Sequence, residues 1–185
     1  MTRHRIMIQK WKYDEVGQDI QRDTSRDPNE ISAPLEHLQE LKNSDYKIDD
    51  LFSRIYGWPV VDAVGARMGI LKDFLYDKTD KRIRYLVVSL EKGARLKEEK
   101  DILIPIGRAE LNQKEQKVFV QEQVSFENLK SLPTYRSVKS LAIEDEKKTL
   151  LIFSSKQKEE LDYTQENFYN QEDFNERTFF GSDEE

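Results

Sequence analysis

The stretch from Tyr56 to Gln121 constrains this chain more than any other part of it. Short runs rich in Val, Ile, Leu and aromatics recur there, each bounded by Gly, Asp, Asn or Lys-rich turns. That pattern predicts a small antiparallel barrel or sandwich. Trp58–Val64 is the first predicted strand, turning at Gly65. Arg67–Tyr76 is the second, with Met68, Ile70, Phe74 and Tyr76 expected on one face and Leu71 and Leu75 on the other. Asp77–Lys81 reads as a charged hairpin turn. Arg82–Leu90 is the third and most apolar strand, with Ile83, Tyr85 and Val87 on one face and Leu86, Val88 and Leu90 on the other. Apolar residues on both faces predict a central strand covered twice. Asp101–Ile106 is the fourth; Pro105 lacks an N–H and belongs at an edge or a strand end, and Gly107 permits a bend. Ala109–Leu111 and Lys117–Gln121 read as a last hairpin across Asn112–Gln116.

The flanks are more polar. Arg5–Trp11 reads as an edge strand or a docking arm, and Asp14–Asn29 as a linker with a turn at Asp27-Pro28. Pro34–Leu41 is predicted helical, because Pro34 suits a first turn and Leu35, Leu38 and Leu41 would share a face. Ser125 is placed to cap a second helix with Phe126, Leu129 and Leu132 inward, ended by Pro133. Val138–Ile143 and Thr149–Phe153 read as a hairpin around Glu144–Lys148. The chain therefore divides into an arm and short helix (1–55), a barrel with its following helix (56–135), and a hairpin with an acidic, aromatic extension (136–185).

Composition narrows the chemistry. The 185 residues are 36% charged and 37% hydrophobic, against roughly 25% charged in an average domain, so the core must be local. The absence of cysteine excludes disulfides, thiolate nucleophiles and zinc–thiolate sites. The two histidines, His4 and His37, lie in separate polar segments and read as surface residues. No cofactor or metal is expected. The N-terminus is too charged for a signal peptide, and apolar runs such as Tyr85–Val88 fall far short of the ~20 residues of a membrane helix. A soluble, cytoplasmic protein without membrane contact is expected. Ten acidic and two basic residues after Lys156 carry −8 of the total −6, which leaves +2 for the rest. A globally basic nucleic-acid footprint is missing.

The ordered pieces between Tyr56 and Gln121 carry a family likeness. Val60, Val61 and Asp62 lead to Gly65, followed by Met68, Gly69 and Ile70. Asp73, Phe74 and Leu75 precede Asp77 at the turn, and the runs Ile83–Val88 and Leu103–Ile106 complete the set. This segment resembles the PRC-barrel domain, the small β-barrel of the cytoplasmic part of the photosynthetic reaction-centre H subunit, found also in ribosome maturation factors. Ser125–Tyr135 resembles the helix that follows the barrel in reaction-centre-like members. Val64-Gly65-Ala66 departs from the usual Asp-Gly turn. Neither the membrane helix of the reaction-centre subunit nor the companion domain of the maturation factors is visible. The resemblance implies a mainly β fold, a small antiparallel PRC-type barrel with an N-terminal arm and a helical or irregular C-terminal extension. It makes Gly65, Gly69, Asp73, Asp77, Tyr85, Pro105 and Gly107 motif positions of structural weight.

The residues suggest binding rather than catalysis. Asp62, Asp73 and Asp77 could be acid–base carboxylates, but their positions suit turn amides better. Arg82, Arg84, Lys92, Arg95, Lys97 and Lys100 could form a phosphate-binding patch, diluted by Glu91, Glu98, Glu99 and Asp101. Tyr56, Trp58, Tyr76 and Tyr85 could line a small-molecule pocket, or simply pack. Tyr163, Phe168, Tyr169, Phe174, Phe179 and Phe180 stud the acidic tail as candidate partner anchors. The expected function is a non-catalytic binding or assembly module, not an enzyme, which forms a homodimer through its extensions and contacts a further protein. An adaptor role in RNA or ribosome maturation and a small-molecule-binding barrel are the alternatives.

Overall fold

Strands β5 (Arg67–Asp77) and β6 (Arg82–Leu90) form the spine of the fold, in a computed structural model that describes residues 9–10, 35–47, 54–92, 96–121, 124–153 and 168–181. Around them lie β1 (Gln9–Lys10), β2 (Leu38–Glu40), β3 (Tyr46–Lys47), β4 (Pro59–Val61), β7 (Lys100–Pro105), β8 (Ala109–Asn112) and β9 (Lys117–Val120). Helices α1 (Phe126–Ser131), α2 (Ile143–Phe153) and α3 (Glu176–Phe180) follow. The architecture is mainly β, as expected. Seven strands make one sheet with the order β7-β6-β5-β4-β9-β8, and β2 pairs separately with β5. The terminal strands β7 and β8 do not pair, so the sheet wraps without closing. One pairing is parallel, β4 with β9, which corrects the expectation of a purely antiparallel barrel. β1 and β3 form a separate two-stranded ribbon.

The predicted strands recur within a few residues, but their faces do not alternate as simple pleating would have them. Between the pairs Leu71↔Val88 and Asp73↔Val87, β5 carries one extra residue, Lys72. Between Leu75↔Tyr85 and Tyr76↔Ile83, β6 carries one extra residue, Arg84. Each bulge inverts the alternation beyond it. Leu71 therefore joins Phe74 in the inner core, and Ile83 joins Leu86, Val88 and Leu90, not Tyr85 and Val87. β6 is indeed central and buried on both faces, with Tyr85 and Val87 in a second, outer cluster.

The outer cluster is roofed by the flanks. Leu35 and Leu38, Leu141 and Leu150, and Phe168, Tyr169 and Phe174 all pack there, while Phe153 and Phe179 reach the inner core. The tail thus shares the interior of the barrel despite its charge. Gly107 explains how close it comes. A Cβ there would lie 2.2 Å from the Glu172 carbonyl oxygen, so only glycine admits the tail backbone.

Two flank assignments are corrected. Pro34–Leu41 is not a helix: the described part, from Leu35, is a turn entering β2. β4 covers β5 only as far as Ile70, and the vacant edge beyond it accepts β2 in the register Leu38↔Asp77 to Glu40↔Leu75. A lone two-turn helix cannot match those ladder bonds. Residues 138–153 are not a hairpin: α2 replaces it, with Glu146, Thr149, Leu150 and Phe153 on its buried face. The predicted helix after Ser125 is present, with a reciprocal capping box between Ser125 and Asn128. Most of Arg5–Trp11 and all of Asp14–Asn29 lie outside the described residues.

Truncating Phe179 to Ala should cost about 3–5 kcal/mol, because a fully buried ring leaves a cavity. Gly107→Ala should cost about 1–3 kcal/mol by overpacking. Guanidinium titration measures both; a tail lying free of the barrel would leave the stability unchanged.

Candidate functional site

The bulge in β6 aims Arg84 at the site where the polar chemistry of the chain collects. A bulged residue leaves the ladder and points its side chain out of register. Arg84 is only 3% exposed. Its Nη2 donates to Asp80 Oδ2 at 2.5 Å and to Asp77 Oδ2 at 3.4 Å. Asp77 is fully buried, and its other oxygen accepts the N–H groups of Thr79 and Asp80 at 2.8 and 3.2 Å, closing the β5–β6 turn. The Ile83 N–H, next to the bulge, donates to Glu176 of α3. Burial raises the pKa of Glu176, and that N–H and Arg82 and Arg84 pull it back.

Tyr169 sits over Arg84, with the guanidinium carbon 4.5 Å from its ring centroid, within cation–π range. Its hydroxyl donates to Glu146 Oε1 at 2.5 Å, and the Tyr85 hydroxyl donates to the same oxygen at 2.8 Å. His37 Nε2 lies 3.0 Å from the Tyr169 oxygen. With the phenol proton directed to Glu146, that oxygen accepts, which puts the proton of a neutral His37 on Nε2. One tyrosine therefore joins the N-terminal segment, β6, α2 and the tail. Burial lowers the pKa of His37; Asp77 raises it, Arg84 and Lys78 lower it further, and Asp80 opposes them.

A second polar knot fastens the N-terminal segment to β5. Asp73 Oδ1 accepts from Phe74 N at 2.7 Å and Lys42 N at 3.2 Å, and Tyr135 donates to Glu40 Oε1 at 2.6 Å. Burial raises the pKa of Asp73, the two N–H bonds moderating it, and burial with the nearby Asp73 charge raises that of Tyr56.

The motif positions have structural duties. Gly65 takes φ +83° in the turn where Asp62 Oδ1 accepts from Val64 and Ala66. Gly69 lies beneath the Ser89 carbonyl, and Pro105 ends β7. Among the expected residues, the structure brings together Asp77, Tyr85, Phe168, Tyr169 and Phe174, with Pro105 opposite Tyr85 in the β6–β7 ladder, and leaves Gly65 apart. The tail aromatics turn inward: Phe168, Tyr169, Phe174 and Phe179 are buried, Phe180 is half-buried, and Tyr163 lies outside the described residues. His37 is half-buried, not a surface residue, while His4 is outside the described residues.

Of the basic residues expected to form a patch, Arg82 and Arg84 line one groove. Arg84 is buried, Lys100 Nζ donates to the Lys130 carbonyl at 2.7 Å, and Arg95 is outside the described residues. Tyr76 and Tyr85 belong to different core clusters, with Tyr56 and Trp58 partly buried against the first. A polar groove of about 380 Å³ instead opens beside Tyr169, lined by Asp80, Arg82, Arg84, Tyr169 and Asn170. Among the described residues, no group of three His, Asp or Glu is placed to hold a metal, and no helix is long and apolar enough to cross a membrane.

The family model for the PRC-barrel domain matches residues 49–124. That segment is a PRC-barrel domain. The match spans β4 to β9 and stops just before the cap of α1. A comparison with curated proteins finds no match. Of the buried hub, the PRC segment supplies Asp77, Asp80, Arg84 and Tyr85, whereas His37, Glu146 and Tyr169 come from outside it.

Sequence reasoning missed His37, Glu146, Asp80 and Asn170, and placed Arg84 in a surface patch. Glu146 had a signal: Glu146, Thr149, Leu150 and Phe153 recur at helical spacing behind the acidic first turn Glu144, Asp145, Glu146. Arg84 had none, because a bulge leaves no local signature in one sequence.

His37 makes stability depend on pH. Its folded pKa lies below the unfolded value of 6.5, so the unfolded chain binds the proton first. Its contribution is complete above about pH 6.5 and declines as the pH falls from there towards the folded pKa. The melting temperature should drop from pH 7 to 5, and His37→Gln should flatten that decline; parallel slopes would remove the assignment.

Proposed function

We propose that the protein is a non-catalytic binding or assembly module, with the PRC barrel as a rigid platform and the flanking segments as part of its outer wall. The observation that supports this reading is the use made of the interior polar groups. Asp77, Arg84, Tyr85, Glu146 and Tyr169 hold one another and the tail in place. Glu146 is wholly buried, whereas a general acid or base has to reach a substrate proton directly or through one water.

A second copy of the chain is the first partner expected. The described flanks cover their apolar side chains with their own barrel. Self-association therefore takes the form of exchange: residues 168–181 of one copy, seated on the other barrel, would keep the same contacts. Deleting residues 157–185 would strip Phe168, Phe174 and Phe179 from the core, so partner tests need the whole chain.

Light scattering after chromatography, at tens of micromolar (roughly where weak dimers populate), should give twice the 22.0 kDa chain mass. A monomer mass there would remove the self-association. A turnover activity abolished by Glu146→Gln, in a variant that melts like the parent, would overturn the non-catalytic reading.

A further inference from the structure

The groove beside Tyr169 is unusual in which of its charges can move. Arg84 cannot: its side chain is 4% exposed and is clamped between Tyr169 and the buried Asp77. Asp80 can: its side chain is 54% exposed on the turn, four residues before Arg84. With one partner in solvent, this pair separates more readily than the buried Arg84–Asp77 pair, provided another anion takes the place of Asp80.

Arg84 is also half-used. Nη2 serves Asp80 and Asp77, while Nε is buried and has no hydrogen-bond partner. Nε–H and one Nη2–H lie along the same edge of the planar guanidinium, a fork that fits two oxygens of one carboxylate or phosphate. A buried donor without an acceptor is costly, and Asp80 fills only one tine. Arg82, two residues along the strand, adds a second cation to the same groove, and Asn170 adds a side-chain amide.

We propose that this groove is an oxyanion site, in which a small ligand bearing a phosphate or carboxylate group displaces Asp80 and takes the Nε–Nη2 edge of Arg84, with Arg82 as the second contact. Asp80 is the internal stand-in for that ligand. The local charge favours an exchange of anions over a simple addition. Asp77 and Asp80 already balance Arg84 and Arg82, and the incoming group replaces the one acid that lines the groove. The site survives an exchange of residues 168–181 between copies, since Tyr169 and Asn170 of one copy would then meet Asp80, Arg82 and Arg84 of the other in the same contacts.

Isothermal titration of the whole chain with inorganic phosphate and, separately, with succinate tests this at constant ionic strength. Millimolar or tighter binding of at least one is expected, roughly the range for a few charged contacts. Arg82→Ala should weaken it about tenfold, the scale of one charge-assisted bond. Asp80→Asn should strengthen it, by about threefold or more, because the competing anion is gone. Both substitutions are at exposed positions, and matching melting curves confirm folding. Phosphate without succinate identifies a phosphate ligand, and the reverse a carboxylate ligand; either supports the site. Binding of neither, or binding indifferent to both substitutions, would overturn it.

Discussion

The paired bulges in β5 and β6 are the constraint on which the remaining structure rests. A strand that gains one residue exchanges its inner and outer faces. Here the gain at Lys72 in β5 is matched by the gain at Arg84 in β6, so the two strands regain their pairing between Tyr76 and Ile83. Without these bulges, Leu71 could not share the inner core with Phe74, nor Ile83 with Leu86. The bulge in β6 also frees a backbone N–H at Ile83, which Glu176 of the tail accepts. Barrel register and tail docking are thus parts of one arrangement.

That arrangement resolves a conflict within the sequence. The tail is acidic enough to read as a solvated extension, yet it contributes four fully or nearly fully buried aromatics. Its charges are placed where the barrel offers a complement. Asp173 meets Arg108, which is itself bonded to Gln121 at 3.3 Å, and Glu176 meets the bulge. The apolar contacts supply most of the attraction, and the ionic contacts fix where the tail lies. Gly107 removes the last obstacle by letting two backbones touch.

Legibility in the sequence followed the range of the interaction. Features set by neighbours in sequence were readable: the Asp62–Gly65 turn, the Asp77 turn, the Ser125 cap and the central position of β6. Features set by distant partners were not. Leu35, Leu38 and Leu41 have helical spacing and are all buried, but the free edge of β5 draws Leu38–Glu40 into a strand, with Leu35 just before it and Leu41 just after. The hub around Tyr169 depends on residues up to 132 positions apart, such as His37 and Tyr169. Glu146 lay within reach of a periodicity argument, yet the turn-like run Glu144–Lys148 masked its helix.

Distance in sequence also explains why the PRC segment alone would be incomplete. It brings a buried Arg84 with two carboxylates but no roof. A guanidinium beneath an open sheet face would draw water and lose the low-dielectric surroundings that strengthen its bonds. Tyr169 supplies the roof with its ring and turns its hydroxyl to Glu146, so that the polar edge of the tail is satisfied on α2 while its apolar face covers the strand. His37 then closes the far side. The outer face of β6 is therefore buried by segments that the barrel itself does not contain, and the charge in that face decides which segments can cover it.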